Sequence, residues 1–259
     1  MHPYIITEPV VISSYSLLIF IGILLAIIIL KRKTNEIPFY DSSYAVIIAS
    51  VGAALGGKLF YILQNAGTII SFFKDYPLKT ALEMTLSGGF VLYGGILFSI
   101  PSIYFVSKTN KVDFHLLLNT LAPSLSLAIA SGRIGCLLAG CCYGRAYDGP
   151  FSIIYPEDAI SSVPRGIPLF PSPVAESLIC LLITAILLLR EKKKGSDGAF
   201  SLFLLLYAAS RFFLEFMRGD EERKSLLFFS TSQAASIAVL FFLLFVFIKK
   251  KLAKKQKNK

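Results

Sequence analysis

One short segment of the chain combines residue types that rarely follow an apolar run. Residues 132–145 read GRIGCLLAGCCYGR and contain four glycines, three cysteines and two arginines. An arginine side chain offers a planar fork of donors that matches a phosphate and stays charged. Glycines let backbone amides come close to an oxyanion. The segment therefore predicts an anion-binding site that also carries thiols.

Three more charged residues lie inside apolar stretches, where an ionisable side chain is costly and is often functional. Arg211 and Glu215 are four residues apart, so on a helix they share one face and can form an ion pair. This pair either holds the helices together or takes part in the anion site, and the spacing leaves both open. Lys58 lies near one end of its stretch, and we expect its amine to reach the lipid headgroups.

A second glycine-rich patch occupies residues 87–95, which read SGGFVLYGG. Small residues can let a backbone approach a phosphate, and they can equally let two membrane helices pack closely. Each glycine patch alone is a weak signal. Two patches at one membrane depth, together with two arginines, favour a phosphate site.

The composition is typical of a membrane protein. The chain has 259 residues, of which 55% are hydrophobic and 16% charged, and its mean hydropathy is +0.68. Soluble domains are about a quarter charged. The net charge of +10 does not indicate a nucleic-acid partner, because most Lys and Arg residues flank apolar runs, where they would face headgroups and cytoplasm.

Apolar segments of membrane-spanning length recur along the chain. A helix needs roughly 20 residues to cross the hydrocarbon. We therefore expect an all-α integral membrane protein with about seven transmembrane helices, forming a single domain over residues 1–259. No positive residue precedes the first segment, so we expect it to remain as a helix rather than to be a cleaved signal peptide. The segments are 10–30, 44–63, 86–106, 114–130, 174–189, 199–217 and 226–248.

The distribution of positive charge predicts the orientation. With the N-terminus outside, sixteen Lys and Arg residues fall on the inside and eight on the outside. Positive residues favour the cytoplasmic side, so we expect the N-terminus outside and the lysine-rich C-terminus inside. Residues 145–173 contain six prolines and then form a small extracytoplasmic head, with a short strand near residues 151–155.

This orientation places three cysteines at an oxidising surface, where a disulfide can form. We expect a structural bridge from Cys136 to Cys141 or to Cys142. A zinc site is less favoured because no histidine is near and the spacing differs from a Cys-x-x-Cys pair. A redox-active thiol pair is the third interpretation. Cys180, in the fifth segment, is expected to be an inert apolar residue.

The combination of these motifs resembles the prolipoprotein diacylglyceryl transferase family, in order along most of the chain. The GRIG segment and the run RFFLEFMR at 211–218 are its specific parts. The matching positions are Tyr15, residues 56–61 and 88–95, Gly132 to Gly135 with Gly140 and Gly144, Pro171, Ser172, Glu176, Tyr207, residues 211–218, Ser232 and Gln233.

The resemblance implies a transferase that moves the diacylglyceryl group of phosphatidylglycerol to the lipobox cysteine of a preprolipoprotein signal peptide. It would act in the cytoplasmic (inner) membrane of a bacterium, forming a thioether and releasing glycerol phosphate. No metal or diffusible cofactor is implied. The expected catalytic residues are Arg133, Arg211, Tyr93 and Glu215, and the expected substrate-binding residues are Tyr15, Gly94, Gly95, Gly132, Gly144 and Tyr207.

The chain departs from the usual family pattern at three positions. Tyr93 stands where a histidine is usual, and Cys136 and Cys141 stand where asparagine and glutamate are usual. We expect Tyr93 to position the phosphate or the thiol by hydrogen bonding rather than to act as a strong base. The alternative is a divergent paralogue with a different acceptor, a thiol-redox role, or lipid binding without catalysis.

Overall fold

The computed structural model of the chain describes residues 4–6, 12–31, 37–156, 163–219, 225–226 and 229–257. They divide into two compact units. Unit 1 comprises residues 1–29 and 119–259, and unit 2 comprises residues 30–118. Each unit is described separately below. The prediction of a single membrane domain over the whole chain stays a prediction.

Helices dominate the described residues. The helices are α1 (Ser14–Lys31), α2 (Phe39–Gln64), α3 (Ala66–Asp75), α4 (Leu78–Ser87), α5 (Leu92–Thr109), α6 (Phe114–Ala139), α7 (Ser172–Lys194), α8 (Ala199–Leu214) and α9 (Thr231–Lys257). The strands form three two-stranded antiparallel pairs, β1 (Tyr4–Ile6) with β2 (Ile12–Ser13), β3 (Ile153–Ile154) with β4 (Pro168–Leu169), and β5 (Ser225–Leu226) with β6 (Phe229–Ser230).

The expected all-α membrane fold is confirmed. Within the described part of the chain, six helices are long and apolar enough to cross a membrane, namely α1, α2, α6, α7, α8 and α9. The third predicted segment, 86–106, covers the end of α4 and most of α5. The helix α5 is not among the six, because Gly94, Gly95, Pro101 and Lys108 lower its apolar character. The seventh span therefore stays a prediction.

The helix α6 extends further than its apolar pattern indicates. The pattern ends at residue 130, but the helix continues to Ala139 and carries Gly132, Arg133 and Cys136. A residue inside a helix uses its backbone amide for the helical ladder. The prediction that glycine amides of this segment bind an anion is therefore wrong for Gly132 and Gly135. Side chains on α6 must supply any such contact.

Serine hydroxyls tie the helices of unit 1 together. Ser131 Oγ donates to the Leu18 carbonyl of α1 at 2.6 Å, and Ser177 Oγ donates to the Ala130 carbonyl of α6 at 2.9 Å. Polar bonds of this kind join helices where lipid offers no hydrophobic driving force. An apolar cluster packs between α6, α7 and α8; its buried members are Ala122, Ile183, Leu187, Ala199 and Phe203.

Glycines allow close contact between α2 and α5 in unit 2. A side-chain carbon added at Gly56 would collide with the Gly94 carbonyl oxygen, and one added at Gly94 would collide with the Gly56 carbonyl oxygen. The Val91 amide also donates to the Gly57 carbonyl at 3.0 Å. Small residues at a membrane-helix crossing bring the two backbones together in this way.

The predicted proline-rich head, residues 145–173, follows α6, and its last two residues begin α7. The strand β3 lies within residues 151–155, where a short strand was predicted, and it pairs with β4, for which no strand was predicted. Tyr155, Val163 and Leu169 form a small buried cluster. Tyr155 also donates its hydroxyl to the Leu137 carbonyl at 3.4 Å, and its burial raises the pKa of the phenol to about 12. The extracytoplasmic location of the head stays a prediction.

Candidate functional site

A buried carboxylate joins the two arginines that the sequence singles out. Glu176, near the start of α7, accepts Arg133 Nε on Oε1 at 2.9 Å and Arg211 Nη1 on Oε2 at 3.4 Å. Its side chain is only 3% exposed. Arg133 comes from α6 and Arg211 from α8, so one residue of α7 sets the spacing of two cations from the helices on either side.

Arg211 also binds a second carboxylate, that of Glu215, which directly follows α8. Its Nη2 lies 2.9 Å from Glu215 Oε2, which confirms the ion pair that the spacing of four residues suggested. Two serines next to the start of α9 complete this side. Ser230 donates to Glu215 Oε1 at 2.8 Å, and Arg211 Nη2 donates to Ser232 Oγ at 3.3 Å. We call Arg133, Glu176, Arg211 and Glu215 the arginine–glutamate network.

Tyr207 orients the central carboxylate. It lies one helical turn before Arg211 on α8, and its hydroxyl donates to Glu176 Oε1 at 3.1 Å. Its ring stacks on Phe203, with the centroids 5.7 Å apart, and Phe203 belongs to the buried core. The phenol is thus held from both ends. The structure places Tyr207 against the network rather than on an open wall.

Tyr15 lies beside the same stretch of α6. A side-chain carbon at Gly135 would come within 3.1 Å of the Tyr15 ring, so Gly135 makes room for this tyrosine. Gly132 differs, because a side-chain carbon built there meets no heavy atom within 4 Å. The side-chain position of Gly132 on α6 is therefore open. The assignment of Tyr15 and Gly132 to substrate binding stays a prediction.

Gly144 lies where the backbone after α6 passes close to two other backbone segments. Its amide donates to the Phe170 carbonyl at 3.1 Å, and a side-chain carbon there would meet backbone carbonyls of Phe170 and Met217. The neighbouring Arg145 amide donates to the Met217 carbonyl at 3.0 Å. The chain after α6 is thereby joined to the residues that follow α8. Gly144 shapes the backbone around the site.

The remaining predicted site residues belong to unit 2. Tyr93, Gly94 and Gly95 lie in the first turn of α5, where Tyr93 is exposed and the two glycines face α2. The expectation that the Lys58 amine reaches the lipid headgroups stays a prediction. The Lys58 Nζ donates to the carbonyls of Leu86 and Gly88, each at 2.9 Å, because these carbonyls end α4 without helical partners.

The cysteines do not form the expected disulfide. All four, each within the described part of the chain, are free thiols. The Sγ atoms of Cys136, Cys141 and Cys142 nevertheless all lie within 4.8 Å of one another, and we call these three residues the thiol cluster. Cys180 is buried on α7 and is separate from that cluster, as its apolar interpretation implied.

Cys142 is the member of the thiol cluster that contacts the arginine–glutamate network. Arg133 Nη1 lies 3.7 Å from its Sγ. Hydrogen bonds to Cys142 from the Cys136 and Cys141 thiols, together with the positive charge of Arg218, hold the pKa of the Cys142 thiol below its ordinary value. The thiol cluster and the arginine–glutamate network therefore form one continuous polar region.

The role of Glu176 was not predicted from the sequence. The residue was named only as a match to the family pattern, although it lies inside the fifth apolar segment, 174–189. An ionisable side chain inside an apolar segment is costly, and this holds for Glu176 as it does for Arg211 and Glu215. Glu176 could therefore have been singled out from the sequence in the same way. Ser230, on the other hand, carries no sequence signal, because a serine near a helix start is common.

Comparisons with known proteins relate the chain to one family. A family model described as prolipoprotein diacylglyceryl transferase matches residues 3–249. The chain is 35% identical over 176 residues to phosphatidylglycerol–prolipoprotein diacylglyceryl transferase 2 of Clostridium perfringens. It is 34% identical over 174 residues to the transferase of Clostridium tetani. The aligned segments cover 64% and 66% of this chain and 63% and 66% of those two proteins.

Proposed function

The chain belongs to the prolipoprotein diacylglyceryl transferase family, and from this membership we propose that it transfers diacylglycerol from phosphatidylglycerol to a protein thiol. The acceptor is the lipobox cysteine of preprolipoprotein signal peptides. The reaction forms a thioether and releases glycerol phosphate. The observation that carries the proposal is the convergence of Arg133 and Arg211 on Glu176.

The two arginines suit a leaving phosphate. Phosphatidylglycerol is a phosphodiester with one negative charge, and the departing glycerol phosphate gains a second as the carbon–oxygen bond breaks. Cationic donors therefore bind the transition state more strongly than the bound lipid, which is the condition for acceleration. Arg133 engages Glu176 through Nε, so we assign the phosphate to the Nη edge of Arg133.

The carboxylates position the arginines. A guanidinium buried without a counter-charge is costly, and Glu176 and Glu215 supply two carboxylates for Arg133 and Arg211. Tyr207 fixes Glu176 through Oε1. Each arginine is thus oriented before the lipid arrives, and little reorganisation is required during reaction. Glu215 is a positioning residue for Arg211.

The open space next to Gly132 is assigned to the lipid substrate, with Tyr15 beside it. We assign Tyr93 the role of a hydrogen-bond donor to the phosphate or to the thiol, on the strength of the family pattern. For Gly94 and Gly95, the contacts with α2 support mainly a packing role between α2 and α5.

We further propose that the protein resides in the cytoplasmic (inner) membrane of a bacterium. The N-terminus and the proline-rich head face outwards and the lysine-rich C-terminus faces the cytoplasm. The charge distribution supports this orientation. It exposes the site to signal peptides that have already been inserted into the membrane.

The decisive experiment is complementation. A bacterium depleted of its own transferase is given this chain, and diacylglyceryl modification of a reporter lipoprotein is followed by mass spectrometry. We expect modification at the reporter's lipobox cysteine and restored growth. An Arg133→Ala variant expressed to the same level serves as the matched control and should not restore either. A correctly inserted wild-type chain that leaves the reporter unmodified would contradict the function.

A further inference from the structure

The thiol cluster is held by an unusual turn at the end of α6. Gly140 and Cys142 both have positive φ, 69° and 60° respectively, and the Cys141 amide donates to the Cys136 carbonyl at 3.0 Å. A left-handed conformation is unfavourable for a residue with a side chain and persists where the surroundings fix it. Here it folds residues 140–142 back over Cys136, so that three sulfurs meet.

The arrangement of sulfurs fits a thiophilic divalent cation. Zinc–thiolate bonds are about 2.3 Å long in tetrahedral sites, which puts neighbouring sulfurs about 3.8 Å apart. The three Sγ atoms lie within 4.8 Å of one another, so small side-chain rotations bring them to that spacing. Cys136 is buried while Cys141 is exposed, so one side of the cluster stays accessible.

The charge next to the thiol cluster also suits a bound zinc ion. Three thiolates around a divalent zinc carry one net negative charge. The Arg133 guanidinium, 3.7 Å from Cys142 Sγ, supplies a compensating positive charge. Three protein ligands with a fourth position left open is the arrangement of catalytic zinc sites, whereas structural sites use four.

We propose that Cys136, Cys141 and Cys142 bind one Zn²⁺ whose open fourth position takes the acceptor's cysteine sulfur. The inference rests on the proposed function and gives its thiol substrate a binding site. A metal-bound thiol is deprotonated outright, so the acceptor becomes a thiolate without a dedicated base in the protein. The contact between Cys142 and Arg133 then places the nucleophile next to the phosphate site.

The acceptor thiol releases its proton to water when its sulfur joins the zinc. That sulfur attacks the lipid's glycerol carbon that carries the phosphate, forming a carbon–sulfur bond. The carbon–oxygen bond breaks, and its electron pair leaves with the glycerol phosphate, held by Arg133 and Arg211. The thioether product is a neutral, weaker ligand and leaves the metal.

The first test measures metal in the full-length protein purified in detergent without chelators. We expect about one zinc per chain, lost on Cys136→Ser, Cys141→Ser or Cys142→Ser and kept in the matched control Cys180→Ser. Circular dichroism and gel filtration report whether each variant is folded. A folded wild-type protein that takes up no zinc when it is supplied overturns the proposal. So does a count of two free thiols in the unreduced, denatured protein, because it shows a disulfide.

The second test uses the wild-type protein and so does not depend on the folding of variants. Zinc is removed with a chelator and replaced by Co²⁺, whose absorption bands report its ligands. We expect the bands to shift when a lipobox peptide is added and to stay unchanged with the same peptide carrying serine for cysteine. Bands that ignore the cysteine peptide overturn the assignment of the fourth position.

The transfer assay separates this inference from the proposed function. We expect metal removal to abolish diacylglyceryl transfer and zinc to restore it. Transfer that continues unchanged after zinc removal overturns the zinc proposal and leaves the transferase function standing. A cobalt signal that responds to the peptide thiol, without transfer under any metal condition, supports the metal site and contradicts the proposed function.

Discussion

At the scale of single residues, Glu176 organises the site. It touches Arg133, Arg211 and Tyr207, which come from two different helices, while lying on a third. Two guanidinium groups repel each other at this spacing unless a carboxylate separates them. The residue therefore contributes both to the stability of unit 1 and to the geometry of the proposed phosphate site.

Glu176→Gln should cost stability and activity together. Removing one partner of a buried charge network destabilises by about 3–5 kcal/mol, because the remaining charges stay buried. We expect a clear fall in the thermal unfolding temperature in detergent and a large loss of transfer rate. Glu83→Gln, at an exposed position of α4, is the control and should stay within about 0.5 kcal/mol. Wild-type stability in Glu176→Gln would contradict the bridging role.

Arg133 should resist conservative replacement. Losing a contact made in the transition state costs about 2–4 kcal/mol, which is a rate loss of roughly 30- to 1,000-fold for Arg133→Ala. Arg133→Lys should recover only part of it, because an ammonium cannot bind Glu176 and phosphate with separate edges. Initial rates of transfer to a lipobox peptide measure both. Full activity in Arg133→Ala would contradict the phosphate model. Arg190→Lys is the control, since Arg190 hydrogen-bonds the Asp197 carbonyl and lies outside the arginine–glutamate network.

Tyr93 tests whether the protein uses a phenol as a base. We expect Tyr93→Phe to slow transfer about fivefold, which corresponds to the loss of one hydrogen bond of about 1 kcal/mol. Tyr93→His should be tolerated, since imidazole can donate as well. The rates are compared across a pH series. Abolished transfer in Tyr93→Phe, with a wild-type rate that climbs with pH, would instead identify the phenol as the base.

Sequence reasoning at this scale succeeded where a charge type or a spacing carries the information. Arg211 and Glu215, four residues apart, predicted an ion pair that the structure contains. The disulfide prediction failed because the proximity of cysteines along the chain does not reveal whether their sulfurs bond or remain free thiols. The link between Arg133 and Glu176 spans 43 positions, and nothing local to either residue indicates it.

At the scale of elements, the α2–α5 crossing depends on the absence of side chains. Gly94→Ala places a methyl against the Gly56 carbonyl, and overpacking of this kind costs about 1–3 kcal/mol. We expect a lower unfolding temperature in detergent. Gly67→Ala on α3 is the matched control, because nothing lies within 4 Å of its added carbon. Equal stability of the two variants would show that Gly94 is not a packing residue.

Apolar runs predicted the existence of helices well and their ends poorly. The α6 helix continues nine residues beyond the apolar pattern, through Ser131, Gly132 and Arg133. Its polar side chains find partners on α1 and α7, so the helix remains the favoured conformation there. Conversely, the third apolar run is divided between the end of α4 and α5, because Gly88 and Gly89 interrupt it.

At the scale of the whole molecule, the proposed orientation makes a direct prediction. Single cysteines are introduced at Asp148 and at Lys257 in a chain whose own four cysteines are serine, and intact cells are treated with a membrane-impermeant thiol reagent. We expect Asp148→Cys to react from outside and Lys257→Cys to react only after the cells are opened. Labelling of Lys257→Cys in intact cells would reverse the topology. A folded serine background is confirmed first by gel filtration.

The arginine–glutamate network also has a consequence for biosynthesis. Its members come from α6, α7 and α8, and the contacts of Arg211 and Glu215 are completed by Ser230 and Ser232, which adjoin the start of α9. A ribosome makes these segments in order, so the buried charges of α8 wait for serines that emerge afterwards. The nascent chain thus completes the hydrogen bonds of this network only after the start of α9 has been made. A chain that stops before residue 230 therefore lacks the hydroxyl partners of Arg211 and Glu215.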